Sequence, residues 1–308
     1  MNNPEIYFVK NKDIDFQKWD QCIASSPFGI VYAFSWYLER ICPHWDALVW
    51  GDYLYIMPLV NNNKLGIRYV YQPFFTQQLG VFSNFPPGPD IVNQFLHTIP
   101  EQFKLTDMRL NLGNMPTTSH FSIQKNATYH LNIRPNAASI RSSYNSNTRR
   151  NIQKAIQNKI SISGVYDILH FLDFFQKNLK EKSPEIKQKD YLALQKVISY
   201  ALYNHLGELY AAWDSGNDLV AAAFFLNTNQ KSIYLAASSN TKGIEQSAMF
   251  LLIDTFIQNN AGKNMILDFE GSNIPGIARF YNGFGASPHV YYSVHQNKLP
   301  KFLHFFKK

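Results

Sequence analysis

The sequence is poor in the residues that build metal sites and disulfide frameworks. Its 308 residues include two cysteines, Cys22 and Cys42, which lack CxxC spacing, and nine scattered histidines that form no HExxH pair. With so few thiols, neither a disulfide scaffold nor a zinc site is expected, and a reducing compartment suits this composition. We therefore expect a cytoplasmic protein that holds no metal.

Long apolar runs are also lacking. No run approaches the roughly 20 residues that a membrane-spanning helix requires, and the first residues, MNNPEIYFVKNKDIDF, have neither the basic start nor the apolar core of a signal peptide. The tail NKLPKFLHFFKK is short, basic and aromatic. It is typical of a docked terminal segment, and peripheral contact with an anionic membrane is the alternative.

Basic and aromatic residues are abundant by comparison. The formal net charge is +7, which favours an anionic partner such as a nucleotide, a phospholipid intermediate or RNA. Aromatic residues make up 15% of the chain, enough to line pockets or to fill two cores. The length favours two domains of about 150 residues each.

Two segments of the chain resemble each other. Residues 45–80 and residues 207–243 each contain three apolar runs separated by Gly/Asp and Asn-rich turns, the pattern of an antiparallel meander. A helical pattern and a further strand, DMRLNLGN or MILDFEGS, follow each of them. We interpret the two as copies of one unit of three strands, a helix and a strand; chance similarity of two α/β halves is the alternative.

An amphipathic helix is predicted between the copies. In PNAASIRSSYNSNTRRNIQKAIQNKISISGV, apolar residues recur every three or four positions from Ile140 to Ile156, after a cap near Asn136. The other faces of this helix are basic. We place the domain boundary near residue 138, so that the basic helix opens the second domain.

Two carboxylates end the strand that follows the second copy. Because side chains alternate across a sheet, Asp268 and Glu270 are expected on one face and Leu267 and Phe269 on the other. Open α/β sheets bind ligands at the carboxyl ends of their strands, and a desolvated carboxylate there has a raised pKa that suits a general base. The pattern also fits an Asp268 that caps a neighbouring loop and a solvated Glu270.

A short helix follows these carboxylates. Pro275 and Gly276 suit its first turn, and Tyr281 lies near its end, before Gly283 and Gly285. A tyrosine hydroxyl in this place could donate a proton to a leaving group. A tyrosine of the core or its rim fits the same spacing.

The residues Phe280, Tyr281 and Gly285 of FYNGFGA resemble the tyrosine-bearing helix end of GNAT-type acyltransferases. Together, SNTRRNIQKAIQNKISI and LDFEGSNIPGIARFYNGFGA resemble the Fem-type tandem-GNAT family, most sharply over residues 144–162 and 265–286. The resemblance implies an α/β (α+β) fold of two tandem GNAT-like domains, each a mixed, mostly antiparallel sheet flanked by helices. It also implies a non-catalytic first domain, residues 1–138, and an active site in residues 139–308, because the first copy lacks an ARFYxxFG equivalent.

The family includes the aminoacyltransferases that build peptidoglycan cross-bridges. The resemblance therefore implies N-acyl or aminoacyl transfer to the amine of a small-molecule or lipid-linked substrate, of cell-wall or phosphate-bearing type, bound between the domains. Such transfer needs a base for the amine, a donor for the oxyanion and an acid for the leaving group. We assign Glu270 or Asp268 to the amine, the Ser238–Ser239 edge to the oxyanion, and Tyr281 to the leaving group.

Further binding residues follow from the same interpretation. A strand, a small-residue loop and a helix N-terminus together favour an anion, and we expect the donor there, on Ser238, Ser239, Asn240, Lys242, Gly243 and Gln246. We expect the substrate on Tyr144, Arg149, Arg150, Lys154 and Arg279.

The loop NTKGIEQSA departs from the GNAT pyrophosphate signature, Arg/Gln-x-x-Gly-x-Gly/Ala, because it has one glycine. We therefore expect no tightly bound cofactor, with acyl-CoA or aminoacyl-tRNA as co-substrate. Fem-type enzymes take their acyl group from aminoacyl-tRNA, so a degenerate loop is expected of them, and tRNA becomes a partner to test.

Two other interpretations fit the sequence. One is a non-catalytic duplicated GNAT scaffold that binds an anionic ligand, which the loop favours and the paired carboxylates with Tyr281 disfavour. The other is a nucleic-acid binder, which the basic helix favours although no recognised binding motif surrounds it.

Overall fold

The computed structural model describes residues 5–42, 44–164, 167–180, 183–228, 230–271 and 273–300. The strands β1 to β13 are, in chain order, Ile6–Val9, Trp45–Trp50, Tyr55–Lys64, Ile67–Val70, Phe82–Ser83, Phe103–Arg109, Ser122–Asn132, Ser161–Gly164, Gly207–Trp213, Leu219–Asn227, Lys231–Ser239, Ile266–Gly271 and Ser287–Asn297. The helices α1 to α10 are Phe16–Ser25, Ser35–Ile41, Pro89–His97, Ala137–Ser142, Ser146–Gln157, Ile168–Leu179, Gln188–Tyr203, Thr241–Glu245, Ala248–Asn260 and Pro275–Gly283.

The chain forms two compact units, and each contains the predicted repeat. In the first, β2, β3 and β4 are an antiparallel meander, α3 follows, and β6 pairs parallel with β4. In the second, β9, β10 and β11 are the meander, α8 and α9 follow, and β12 pairs parallel with β11. The expected fold of two GNAT-like domains with mixed, mostly antiparallel sheets is confirmed.

The boundaries of the units differ from the sequence-based ones. The first unit holds Met1–Asn126 with Val290–Lys308, and the second holds Ala127–His289. The first boundary lies before residue 138 because the end of β7 pairs with β12, from Asn132 opposite Ile266 to Thr128 opposite Gly271. The C-terminal segment lies with the first unit because β13 pairs with β6.

In the first unit the strand order is β1-β2-β3-β4-β6-β13, with β5 beside β3. Its core forms where α3 packs on the sheet, since the apolar face of this helix, Val92, Phe95 and Leu96, joins a cluster with buried residues of β2, β3 and β6. Burial of this apolar surface is the main stabilising term for such a unit.

In the second unit the order is β7-β12-β11-β10-β9-β8. The centre is β10, where Val220 to Leu226 are all buried, as expected for a strand covered on both faces. The turn before it is fixed by Asp214, whose carboxylate accepts the N–H groups of Gly216 and Asp218, the local bonding that favours Asp in turns. One sheet face carries the aromatic and aliphatic side chains that pack with α5, α9 and α10.

The predicted basic helix is two helices. Asn136 caps α4 by accepting the N–H of Ser139, as expected, but α4 ends at Ser142. Asn145 then caps α5 by accepting the N–H of Thr148. Periodicity alone did not show the break, because Tyr144 at the turn between the helices is itself buried and continues the apolar pattern.

Among the described residues, no helix is long and apolar enough to cross a bilayer. Across the same ranges, no group of three or more His, Cys, Asp or Glu side chains could hold a metal ion. The residues 301–308 of the basic aromatic tail lie outside the described ranges, so membrane contact by this tail stays a prediction.

Candidate functional site

The strands β11 and β12 separate at their carboxyl ends. Their parallel pairing covers three positions, from Lys231 opposite Ile266 to Ile233 opposite Asp268. Beyond these pairs, β11 continues to Ser239 and β12 to Gly271. The carboxyl ends of parallel strands are where open α/β sheets bind ligands, so this opening is the candidate active site.

Aromatic side chains line one side of the opening. The ring of Tyr281 stacks on Phe269 of β12 with centroids 4.8 Å apart, and lies 6.4 Å from the ring of Tyr234 on β11. Tyr281 is 9% exposed, and within the described part of the chain its hydroxyl has no hydrogen-bond partner. Tyr281 belongs to the core cluster of this unit, and its hydroxyl is a candidate for contact with a bound molecule because buried polar groups are normally bonded.

The environment of Tyr281 keeps it protonated. Burial raises the pKa of its hydroxyl, and the charges of Glu270 and Asp268 raise this pKa further. A neutral phenol can donate a hydrogen bond or a proton, and with a raised pKa it gives up the proton only to a strong base.

Pro275 and Gly283 fix the position of α10, the helix that carries Tyr281. Pro275 occupies the first turn of α10, where its missing N–H has no cost. At the other end, the carbonyl of Gly283 accepts the N–H of Asn145, the cap residue of α5. A β-carbon on Gly283 would overlap the hydroxyl of Thr148, so glycine allows α10 and α5 to approach closely.

Asp268 does not have the raised pKa expected of a base. Its burial raises the pKa, but the His130 ring and the charge of Lys231 beside the carboxylate outweigh burial and lower the pKa to about 2. His130 Nε2 lies 3.0 Å from Oδ2 of Asp268 and Lys231 Nζ lies 3.6 Å from it. The other oxygen, Oδ1, accepts the Thr128 hydroxyl at 2.7 Å and the Glu270 N–H at 2.9 Å.

The expected alternation of side chains fails at Glu270. Its φ is +60°, and the pairing of β12 with β7 is irregular between Asp268 and Gly271. Such a left-handed non-glycine residue is uncommon, and an aspartate acceptor two residues earlier favours it. The two carboxylates therefore do not form a pair on one face: Asp268 holds the local backbone, and Glu270 lies near enough to Tyr281 to affect its pKa.

Most donors of the predicted loop are used within the protein. The side chain of Asn240 accepts the N–H of Gly243 at 2.8 Å, Lys242 forms ion pairs with Asp214 and Asp218, and Ser239 ends β11 opposite Ala221. A β-carbon on Gly243 would overlap the carbonyl of Val220. The loop is therefore packed against β10, and the Gly243 N–H and the Lys242 ammonium are engaged within the protein.

Two atoms of the same region remain without a partner. Ser238 Oγ and Gln246 Oε1 are buried and, within the described ranges, make no hydrogen bond. Buried polar atoms are normally bonded, so these two are candidates for contacts with a bound molecule.

The predicted substrate-binding residues differ in their exposure. Arg149, Arg150, Lys154 and Arg279 are exposed. Tyr144 is buried, and its hydroxyl bonds Asp254 of α9, which is itself paired with Arg141. The Tyr144 hydroxyl is therefore bonded within the protein.

Sequence reasoning missed Thr128, His130 and Lys231. The signal was present in ATYHLN, where Thr128 and His130 alternate with apolar residues, but only strand pairing shows that they face Asp268 across the sheet.

In comparisons with protein-family models and with curated proteins, nothing matches this chain. Among solved structures it is similar to FemX, with a TM-score of 0.66 and 12% identity over 96% of this chain and 98% of FemX. It is also similar to the C-terminal DUF2156 domain assigned to a lysylphosphatidylglycerol synthetase of Agrobacterium fabrum, with a TM-score of 0.57 and 10% identity over 92% of both chains. L-PGS from Bacillus licheniformis is similar as well, with a TM-score of 0.54 and 10% identity over 94% of both chains.

At these identities the likeness concerns the fold. The chain has the tandem GNAT-like fold, as each unit carries the meander, helix and parallel strand that define it. More particularly, its fold is similar to that of FemX, since the similarity covers nearly the full length of both chains.

Proposed function

We propose that this protein is an aminoacyl- or acyltransferase that moves an acyl group from an activated donor to an amine. The observation that carries the proposal is the position of Tyr281, whose ring packs against Phe269 and Tyr234, the residues that follow the last paired positions of β12 and β11. The Fem/GNAT-type fold supports this class of reaction, and the names of the similar structures, FemX and lysylphosphatidylglycerol synthetase, agree with it.

In this proposal the amine of the acceptor attacks the acyl carbon, loses a proton and forms an amide, and the leaving group departs with a proton from Tyr281. Glu270 takes the amine proton, directly or through water. Asp268 is a positioning residue, because its low pKa makes it a weak base. The Ser238–Ser239 edge remains our candidate for the group that donates a hydrogen bond to the oxyanion.

We propose aminoacyl-tRNA as the donor in preference to acyl-CoA. The internal bonds of Asn240 and Lys242 support this choice, because a pyrophosphate needs unpaired N–H groups. The raised pKa of Tyr281 supports it as well. An alkoxide, the leaving group of an aminoacyl ester, is a stronger base than a thiolate and so can take a proton from such an acid.

The acceptor is the less defined partner. We propose an amine on a small-molecule or lipid-linked substrate that carries phosphate, with Arg150 and Lys154 as contacts to phosphates of the donor or acceptor.

The test is a transfer assay with Tyr281→Phe. The wild-type protein is incubated with radiolabelled aminoacyl-tRNA or acyl-CoA and a panel of amines, and amide formation is measured. We expect the variant to lose about 10²–10⁴-fold in turnover, the contribution of a general acid, with its thermal unfolding unchanged because the ring remains. Equal turnover of the two proteins would remove Tyr281 from the mechanism.

The second candidate is a non-catalytic scaffold that binds an anionic ligand, and the internally bonded loop favours it. Wild-type protein that binds charged tRNA but transfers nothing to any amine of the panel would support this candidate.

A further inference from the structure

A groove lies between α4 and α5, on the second unit. Its volume is about 450 Å³, within the range of small-molecule sites. One wall is a stripe of α4, Ala138, Arg141 and Ser142, and the other is a stripe of α5 that includes Arg149, Ile152 and Ile156. Residues three and four apart share a helix face, so each helix turns one consistent face to the groove.

The two walls each contribute a guanidinium group. Arg141 is held by Asp254, which accepts Nε at 3.1 Å and also Nη2, and Arg149 Nη2 donates to the carbonyl of Ser142 at 2.7 Å. Asp254 is buried beneath the groove, with 1% of its side chain exposed. An arginine fixed by such bonds loses little freedom when it binds a further acceptor, and its remaining N–H groups suit phosphate or carboxylate.

Besides the two arginines, the lining consists of Ala138, Ile152 and Ile156 with Ser142, Tyr144 and Gln153, and it contains no acidic residue. Ile156 is 50% exposed and Ile152 9%, so an apolar surface continues from the arginines along α5. The neighbouring cations do not share this surface, because Arg150 and Lys154 are absent from its lining. The groove therefore combines a site for one anionic group with a surface for an apolar body.

We propose that this groove binds a small ligand in which a single phosphate or carboxylate is joined to an apolar or planar body. The anionic group lies between Arg141 and Arg149, and the body lies on Ile152 and Ile156. The identification of this ligand with the phosphate-bearing substrate rests on the proposed function. Binding of the ligand in the groove does not depend on acyl transfer. It also separates the roles of Arg149 and Arg150, which sequence reasoning had grouped.

Calorimetric titration with phenyl phosphate and with adenosine monophosphate tests the proposal, with inorganic phosphate and adenosine as the partial ligands. We expect each phosphate ester to bind at least about tenfold more tightly than either partial ligand. Arg149→Gln should weaken binding of the esters about tenfold or more, as loss of one charge-assisted hydrogen bond does. The matched control, Arg134→Gln, changes an exposed arginine outside the groove lining and should alter binding of the esters by less than about twofold.

A second variant tests the apolar wall. Ile156→Ser should weaken binding of phenyl phosphate but leave binding of inorganic phosphate unchanged. Ile156 is exposed enough for the fold to tolerate this substitution. Equal losses of ester binding in Arg149→Gln and Arg134→Gln would show general charge attraction and overturn the proposal. Esters that bind no better than inorganic phosphate would overturn it too. Because no acyl donor is present, these results are independent of the transfer assay.

Discussion

Asp268 is a buried carboxylate whose charge is stabilised by its neighbours. Thr128 and the Glu270 N–H bond one oxygen, while His130 and Lys231 lie beside the other. Burial alone would favour the neutral acid, and the donors and cations reverse that preference. The result is a carboxylate that accepts the Glu270 N–H and holds the left-handed backbone of that residue.

This arrangement predicts an acid-dependent contribution to stability. The pKa of Asp268 is lowered from 3.8 to about 2 in the folded protein, so the ionised form stabilises the fold above the unfolded pKa, and this stabilisation is lost as the pH falls toward 2. It amounts to about 2 kcal/mol. We expect Asp268→Asn to be less stable than wild type in urea unfolding at pH 6, by about this amount, and the difference to shrink below about pH 4.

The control for this prediction is Asp173→Asn, which changes an exposed aspartate of α6. It should follow the wild-type profile at every pH. A stability difference between Asp268→Asn and wild type that stays constant from pH 6 to pH 3 would mean that the charge of Asp268 does not stabilise the fold.

At the scale of elements, the contact of α10 with α5 decides where Tyr281 lies. Gly283 meets Thr148, and Gly285, with φ +85°, meets Ser143. The rings of Tyr144 and Phe284 pack edge to face beside them, with centroids 5.3 Å apart. The small residues of FYNGFGA therefore have a steric role in addition to the chemical role that we propose for its tyrosine.

Gly283→Ala should separate the two helices. The added methyl group would overlap the buried Thr148 side chain, so we expect the free energy of unfolding to fall by about 1–3 kcal/mol, the usual cost of overpacking. Gly276→Ala in the same helix is the matched control, because its β-carbon meets nothing within 4 Å. It should be neutral or stabilising by up to about 1 kcal/mol. Equal effects of the two substitutions in urea unfolding would contradict close packing at Gly283.

At the scale of the whole molecule, the net charge of +7 bears on the choice of donor. A polyanion such as tRNA releases counterions when lysines and arginines replace them, so its affinity falls steeply with salt. Coenzyme A offers few phosphates, and in the loop after β11 the Gly243 N–H and the Lys242 ammonium are already bonded within the protein.

We therefore expect aminoacyl-tRNA binding, measured by filter retention, to weaken about tenfold or more between 50 and 200 mM salt, which corresponds to at least two phosphates neutralised. Calorimetry should show no binding of coenzyme A with a micromolar dissociation constant. Such binding would correspond to a binding free energy of about −8 kcal/mol. The double variant Arg150→Gln, Lys154→Gln should show a flatter salt dependence. Salt-independent tRNA binding, or micromolar coenzyme A binding, would point to the thioester donor.

The sequence determined the elements and their repetition. Turn residues, apolar periodicity and caps such as Asn136 are local signals, so the two meanders, the helices after them and the strand that carries Asp268 could be predicted from it. The motif FYNGFGA also pointed to Tyr281, because its aromatic and glycine residues are consecutive in the sequence, at the end of one helix.

Only the tertiary structure decided which side chains meet. The partners of Asp268 come from β7 and β11, far from it in the sequence, and strand pairing brings them together. Their bonds lower a pKa that burial alone would raise, and the turn at Glu270 breaks the alternation that a regular strand would have. Charge states and backbone turns depend on these long-range contacts, whereas helices and strands depend mainly on neighbours along the chain.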